Sequence, residues 1–137
     1  MKTSRARFDP ECAMEFRELA EAAIHLQKAI GLLDSVNDEI IMEESVNSFE
    51  IVRRLSMAWE ELNSCRLYTK ESASLEELLV PAMALVDRAR QVLESLTHRR
   101  PGTMVYGQIG VLKSIREALS TGIRPGLTRL ESCMASA

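Results

Sequence analysis

The chain has 137 residues, enough for one domain with a proper core and too few for two ordinary ones. Hydrophobic residues make up 46%, which excludes a disordered composition, and aromatics only 4%, which favours helices over strands. A net charge of −3 argues against a surface given over entirely to nucleic acid or anionic lipid.

The first helical segment opens at Asp9-Pro10, an N-cap followed by proline at the first helical position. From there Cys12, Phe16, Leu19, Ala23, Leu26, Ile30 and Leu33 alternate spacings of four and three, a heptad-like seam. The seam ends at the polar run Asp34-Ser35-Val36-Asn37, read as a turn. A second helical region covers about 38–68, with Asn47 and Glu50 marking an internal start. Its stripe is Val52, Leu55, Trp59 and Leu62, flanked by Ile51, Ala58 and Cys65.

Ser74 with Glu77 forms a capping box for a third helix, whose seam is Leu75, Leu78, Ala82, Leu85, Ala89, Val92 and Leu96. Pro81 predicts a kink or a late start, and Pro101-Gly102 a stop. A fourth helix is expected from about 103 to 121, with Gly122 ending it. Pro125-Gly126 sets off the remaining residues as a separate short helical tail. These elements predict an all-α protein, an antiparallel four-helix bundle with a short C-terminal helical tail. Residues 1–137 are read as a single domain, frayed at 1–8 and 135–137.

Val105 to Ile115 reads VYGQIGVLKSI, two glycines leading into a lysine and a serine. A phosphate-binding P-loop needs its lysine directly after the second glycine and a strand before the first. Here Gly110 lies three residues before Lys113 and a polar turn precedes, so no phosphate site is predicted. A KH-type Gly-x-x-Gly clamp fails as well, because Gln108-Ile109 carries no positive charge and no strands surround it. On a helical wheel Gly107, Gly110, Val111, Ser114 and Ala118 form a small face, opposite Val105, Ile109, Leu112, Ile115 and Leu119. Close helix packing is the expected role of both glycines.

The three cysteines Cys12, Cys65 and Cys133 are far apart and odd in number, with no Cys-x-x-Cys. Neither a disulfide framework nor a zinc site is expected, and no cysteine lies beside a histidine that would activate it. Each histidine follows a glutamate by four residues (Glu21 with His25, Glu94 with His98), away from the seams. These read as surface pairs, so no metal and no cofactor are predicted. Basic residues at the N-terminus precede no apolar stretch, and no run has the length of a membrane span. The expectation is a protein of the reducing cytoplasm, with no membrane partner.

His25, Lys28 and Ala29 resemble the histidine-containing phosphotransfer domains, helical bundles in which an exposed histidine is followed by lysine and a small residue. The resemblance implies a phosphoacceptor role for His25. The residues alone read as a solvated histidine among Glu18, Glu21 and Lys28.

Charge is uneven. Residues 98–137 carry six basic residues against Glu117 and Glu131, so Arg99, Arg100, Arg124 and Arg129 are candidate nucleic-acid-binding residues. Apolar residues left over after one face per helix is buried are Ile24, Leu32, Ile40, Met42, Met57, Val80 and Met83. Ile123, Leu127, Leu130 and Met134 form a further stripe in the tail, read as the protein-binding site. No catalytic motif is present. The sequence therefore predicts a non-enzymatic helical adaptor or regulatory protein, self-associating as a homodimer. A nucleic-acid-binding bundle and a histidine phosphotransfer protein are the alternatives.

Overall fold

The computed structural model describes residues 12, 14–42, 48–96 and 101–136, the side chains of 96 and 101–107 excepted. Among the described residues five α-helices run in order: α1 Phe16–Met42, α2 Ser48–Thr69, α3 Ala73–Leu96, α4 Pro101–Ala118 and α5 Arg124–Ser136. A π-helical turn, Leu119–Ile123, joins α4 to α5. No strand occurs among the described residues. α1 packs on α2, α2 on α3 and α3 on α4, while α5 returns to α1 and closes the four-helix bundle. Antiparallel order shows in the side chains that meet: His25 of α1 reaches Glu61 of α2, and Ser35 reaches Arg54. The last helix of the bundle is thus a composite in which α4 covers α3 and α5 covers α1.

The polar run at 34–37 does not break α1. Val36 and Asn37 are buried and Ser35 Oγ donates to Leu32 O at 2.8 Å, so the helix continues to Met42. Tertiary burial of Val36 and Ile40 outweighs the weak helix propensity of Asp, Ser and Asn. The described start is Phe16, where Glu15 O accepts from Leu19 N; Asp9-Pro10 and Asn47 lie outside the described residues.

α3 starts one cap earlier than the box at Ser74 and Glu77. Ser72 Oγ accepts from Leu75 N at 3.3 Å and Ser72 O from Glu76 N at 3.0 Å, which places Ser72 at the N-cap. Pro81 sits exposed inside the helix and causes no late start.

The core lines of α2 and α3 are rotated by about one residue from the expected stripes. In α2 the buried set is Ile51, Leu55, Ala58, Leu62, Cys65 and Thr69, with Val52 and Trp59 half-buried. In α3 it is Leu75, Leu79, Ala82, Met83, Val86, Ala89 and Leu93, leaving Leu85 and Val92 half-buried. Each helix touches two neighbours, so the centre of its buried arc falls between two apolar lines.

Gly122 is no helix stop. The π-turn carries the chain through it, with Arg124 N–H donating to Leu119 O five residues back. Pro125 supplies the reason: it has no N–H to donate, and its ring would strike the carbonyl of Thr121 in a straight α-helix. A wider turn relieves that clash. Ala135 and Ser136, expected to fray, belong to α5.

One bond contradicts the sequence reading. Cys12 and Cys133 form a disulfide with Cα atoms 5.3 Å apart, joining the segment before α1 to the end of α5. A spacing of 121 residues gives no hint of pairing, because the two meet only once the bundle has closed.

Candidate interaction surface

The glycine stretch lies within α4. Amides inside a helix donate to carbonyls four residues back, so those of 107–110 do not converge on an anion. Close packing fails at Gly110, however: the residue is exposed, and a Cβ there would meet nothing within 4 Å. The side-chain surroundings of Gly107 lie outside the described residues. Among the described side chains of α4 the buried ones are Val111, Ile115 and Ala118, which mix the small and large faces drawn on the wheel. The close approach occurs at Gly122, where a Cβ would lie far inside contact distance of Leu78 O and 2.8 Å from Ala82 Cβ.

His25 is not the free surface histidine expected. Its Nδ1 donates to Glu61 Oε2 at 2.7 Å, and its ring stacks on Tyr68 with centroids 6.0 Å apart and planes inclined at 22°. Glu61 and Tyr68 belong to α2, so no spacing within α1 announces the pair. The contact occupies Nδ1 and, with the stack on Tyr68, sets the orientation of the ring. A carboxylate on the ring also works against placing an anionic phosphoryl group there.

Among the described residues, no three His, Cys, Asp or Glu side chains converge as a metal would require. Burial pushes the Cys65 thiol up to about 12, opposed by a hydrogen bond from Thr69, which leaves it protonated and inert. A small cleft of about 250 Å³ between α2 and α3 is lined by Ser56, Trp59, Glu60, Asp87 and Arg90. Arg90 is held there by Asp87 at 2.6 Å and by Glu94 at 2.8 Å. The hydrogen bond with Asp87 raises its already high pKa, so its charge is permanent.

The arginines are divided. Arg124 is exposed but bridges to Asp34 of α1 at 3.2 Å, and Arg129 is half-buried. Arg99 and Arg100 lie outside the described residues. The tail stripe is used inside the molecule. Ile123 and Leu130 are fully buried, and Leu127 and Met134 pack against the core. A partner helix and a helix of the same chain bury an apolar stripe alike, so the sequence pattern could not separate them.

Apolar side chains remain in water elsewhere. Of the expected surplus, Ile24, Met42, Met57 and Val80 are exposed, Leu32 is half-buried, and Ile40 and Met83 are buried. The two largest exposures, Phe49 at 81% and Met42 at 79%, sit where α1 ends and α2 begins, with the exposed Ile41 next to Met42, while Leu67, Phe16 and Ile109 are exposed elsewhere. Phe49 and Ile41 were missed from sequence because each lies next to a position that is buried or near a helix end. Five residues of chain separate Met42 from Ser48, which keeps both helix ends at one pole of the bundle.

The fold defines the chain as an all-α helical bundle. Compared with protein-family models, curated protein sequences and solved structures, the chain matches none. No described helix is long and apolar enough to cross a membrane.

Proposed function

We propose that this chain is a non-enzymatic helical adaptor or regulatory protein of the cytoplasm that works through protein contacts and pairs with a second copy of itself. The observation that carries the reading is the exposure of Ile41, Met42 and Phe49 together at the α1–α2 pole. Large apolar side chains in water are a standing driving force for association, and methionine adapts to the surface it meets. A two-fold contact through that pole sets each copy's patch against the other's, so one patch serves as both donor and acceptor of the interface.

Light scattering of the purified protein at low and high salt, with and without mixed nucleic acid, tests this. A dimer insensitive to salt and indifferent to nucleic acid supports the reading, and Phe49→Asp should shift it to monomer. A monomer that binds nucleic acid at low salt and releases it at high salt overturns it, because phosphate contacts release counterions and weaken as salt rises.

A further inference from the structure

The composite fourth helix contains a hinge and a latch. The hinge is the π-turn Leu119–Ile123, where the bond from Arg124 reaches back five residues and Pro125 contributes no N–H. Gly122 anchors that turn against Leu78 and Ala82 of α3, so motion beyond it need not disturb α4. Past the hinge, α5 has 13 residues, too few to be stable as an isolated helix in water. Its buried residues are Gly126, Leu130 and Cys133, so Leu130 is its one large fully buried aliphatic side chain. At its far end the Cys12–Cys133 bond ties it down beside α1.

We propose that this disulfide is a redox latch on α5: oxidised, it holds the helix against α1; reduced, it lets the helix swing out about the π-turn. Reduction is thiol–disulfide exchange with a dithiol. One thiolate of the dithiol attacks Sγ of Cys12, the less buried of the two residues, and Cys133 Sγ leaves as a thiolate and takes a proton from water. The second thiol of the reductant then displaces Cys12, so two electrons pass to the protein and the reductant leaves as its own cyclic disulfide. Cys65 does not interfere, being buried and protonated. Release uncovers the apolar side of α5, with Leu127, Leu130 and Met134, and the α1–α3 surface at Leu26 and Leu79 on which Gly126 rests. In a reducing compartment such a bond is transient and sensing, whereas in an oxidising one it persists. The latch stands independently of the patch at the α1–α2 pole.

Amide hydrogen exchange read by mass spectrometry, with and without dithiothreitol, tests the latch, using α2 and α3 as internal references. Thiol titration of the denatured, unreduced protein should find one free thiol, that of Cys65. In the oxidised protein α5 amides should exchange within a few-fold of the slowest amides of α2 and α3. After reduction they should exchange at least tenfold faster than those same references, with far-ultraviolet circular dichroism still helical. Cys12→Ser/Cys133→Ser should reproduce the reduced pattern without reductant. Three free thiols, α5 keeping pace with α2 and α3 after reduction, or loss of helix throughout the chain would each overturn the proposal.

Discussion

Replacing Gly122 by alanine should destabilise the bundle, whereas the same change at Gly110 should stabilise it. Neither glycine has a positive φ, so alanine suits the backbone at both positions and relieves an entropy cost of about 1 kcal/mol. At Gly110 nothing opposes that gain, since a Cβ meets nothing within 4 Å. At Gly122 the new methyl runs into Leu78 O and Ala82 Cβ. The first of these is backbone and cannot rotate away. Overpacking costs roughly 1–3 kcal/mol, and a backbone obstacle belongs at the upper end. The net expectation is a loss of about 2 kcal/mol for Gly122→Ala and a gain of about 1 kcal/mol for Gly110→Ala. For a chain of 137 residues, roughly 4 °C of Tm per kcal/mol gives a fall of about 8 °C and a rise of about 4 °C. Differential scanning calorimetry of the oxidised variants measures both. Shifts of the same sign would refute the assignment of Gly122 as the close-contact glycine.

The rotated core lines make a second prediction. Leu79→Ala removes a fully buried side chain and should cost roughly 2–5 kcal/mol in urea unfolding, while the half-buried Leu85 should cost markedly less. A reversed order would return the centre of the α3 interface to Leu85. Alkaline pH supplies a third. With the Cys65 thiol at about 12 in the folded chain and near 9.0 when unfolded, the unfolded state loses its proton first. Stability is therefore intact below pH 9 and falls by up to roughly 1.4 kcal/mol per pH unit between pH 9 and 12. Urea melts across that range should show the slope in the parent and a weaker one in Cys65→Ala.

The helical class, the number of long segments and most of the core were written in the sequence. Apolar residues at spacings of three and four place Leu19, Leu26, Leu55 and Leu62 inside whatever the helix packs against, because helix geometry is local. Features beyond local geometry were decided only when the helices met. Asp34 to Asn37 looked like a turn because those residues favour turns in isolation, yet burial of Val36 and Ile40 holds the helix through them. Two adjoining apolar lines ran along α2 and α3, and the neighbouring helices selected the line through Leu79 and Val86 over that through Leu85 and Val92. The tail stripe at Ile123 and Leu130 declared itself apolar but not which surface it would cover. That surface is formed by α1 and α3 of its own chain. His25 finds Glu61 across 36 residues and Cys12 finds Cys133 across 121, separations at which sequence spacing carries no distance information. Contacts within a helix are set by its pitch; contacts between helices are set by how the bundle closes.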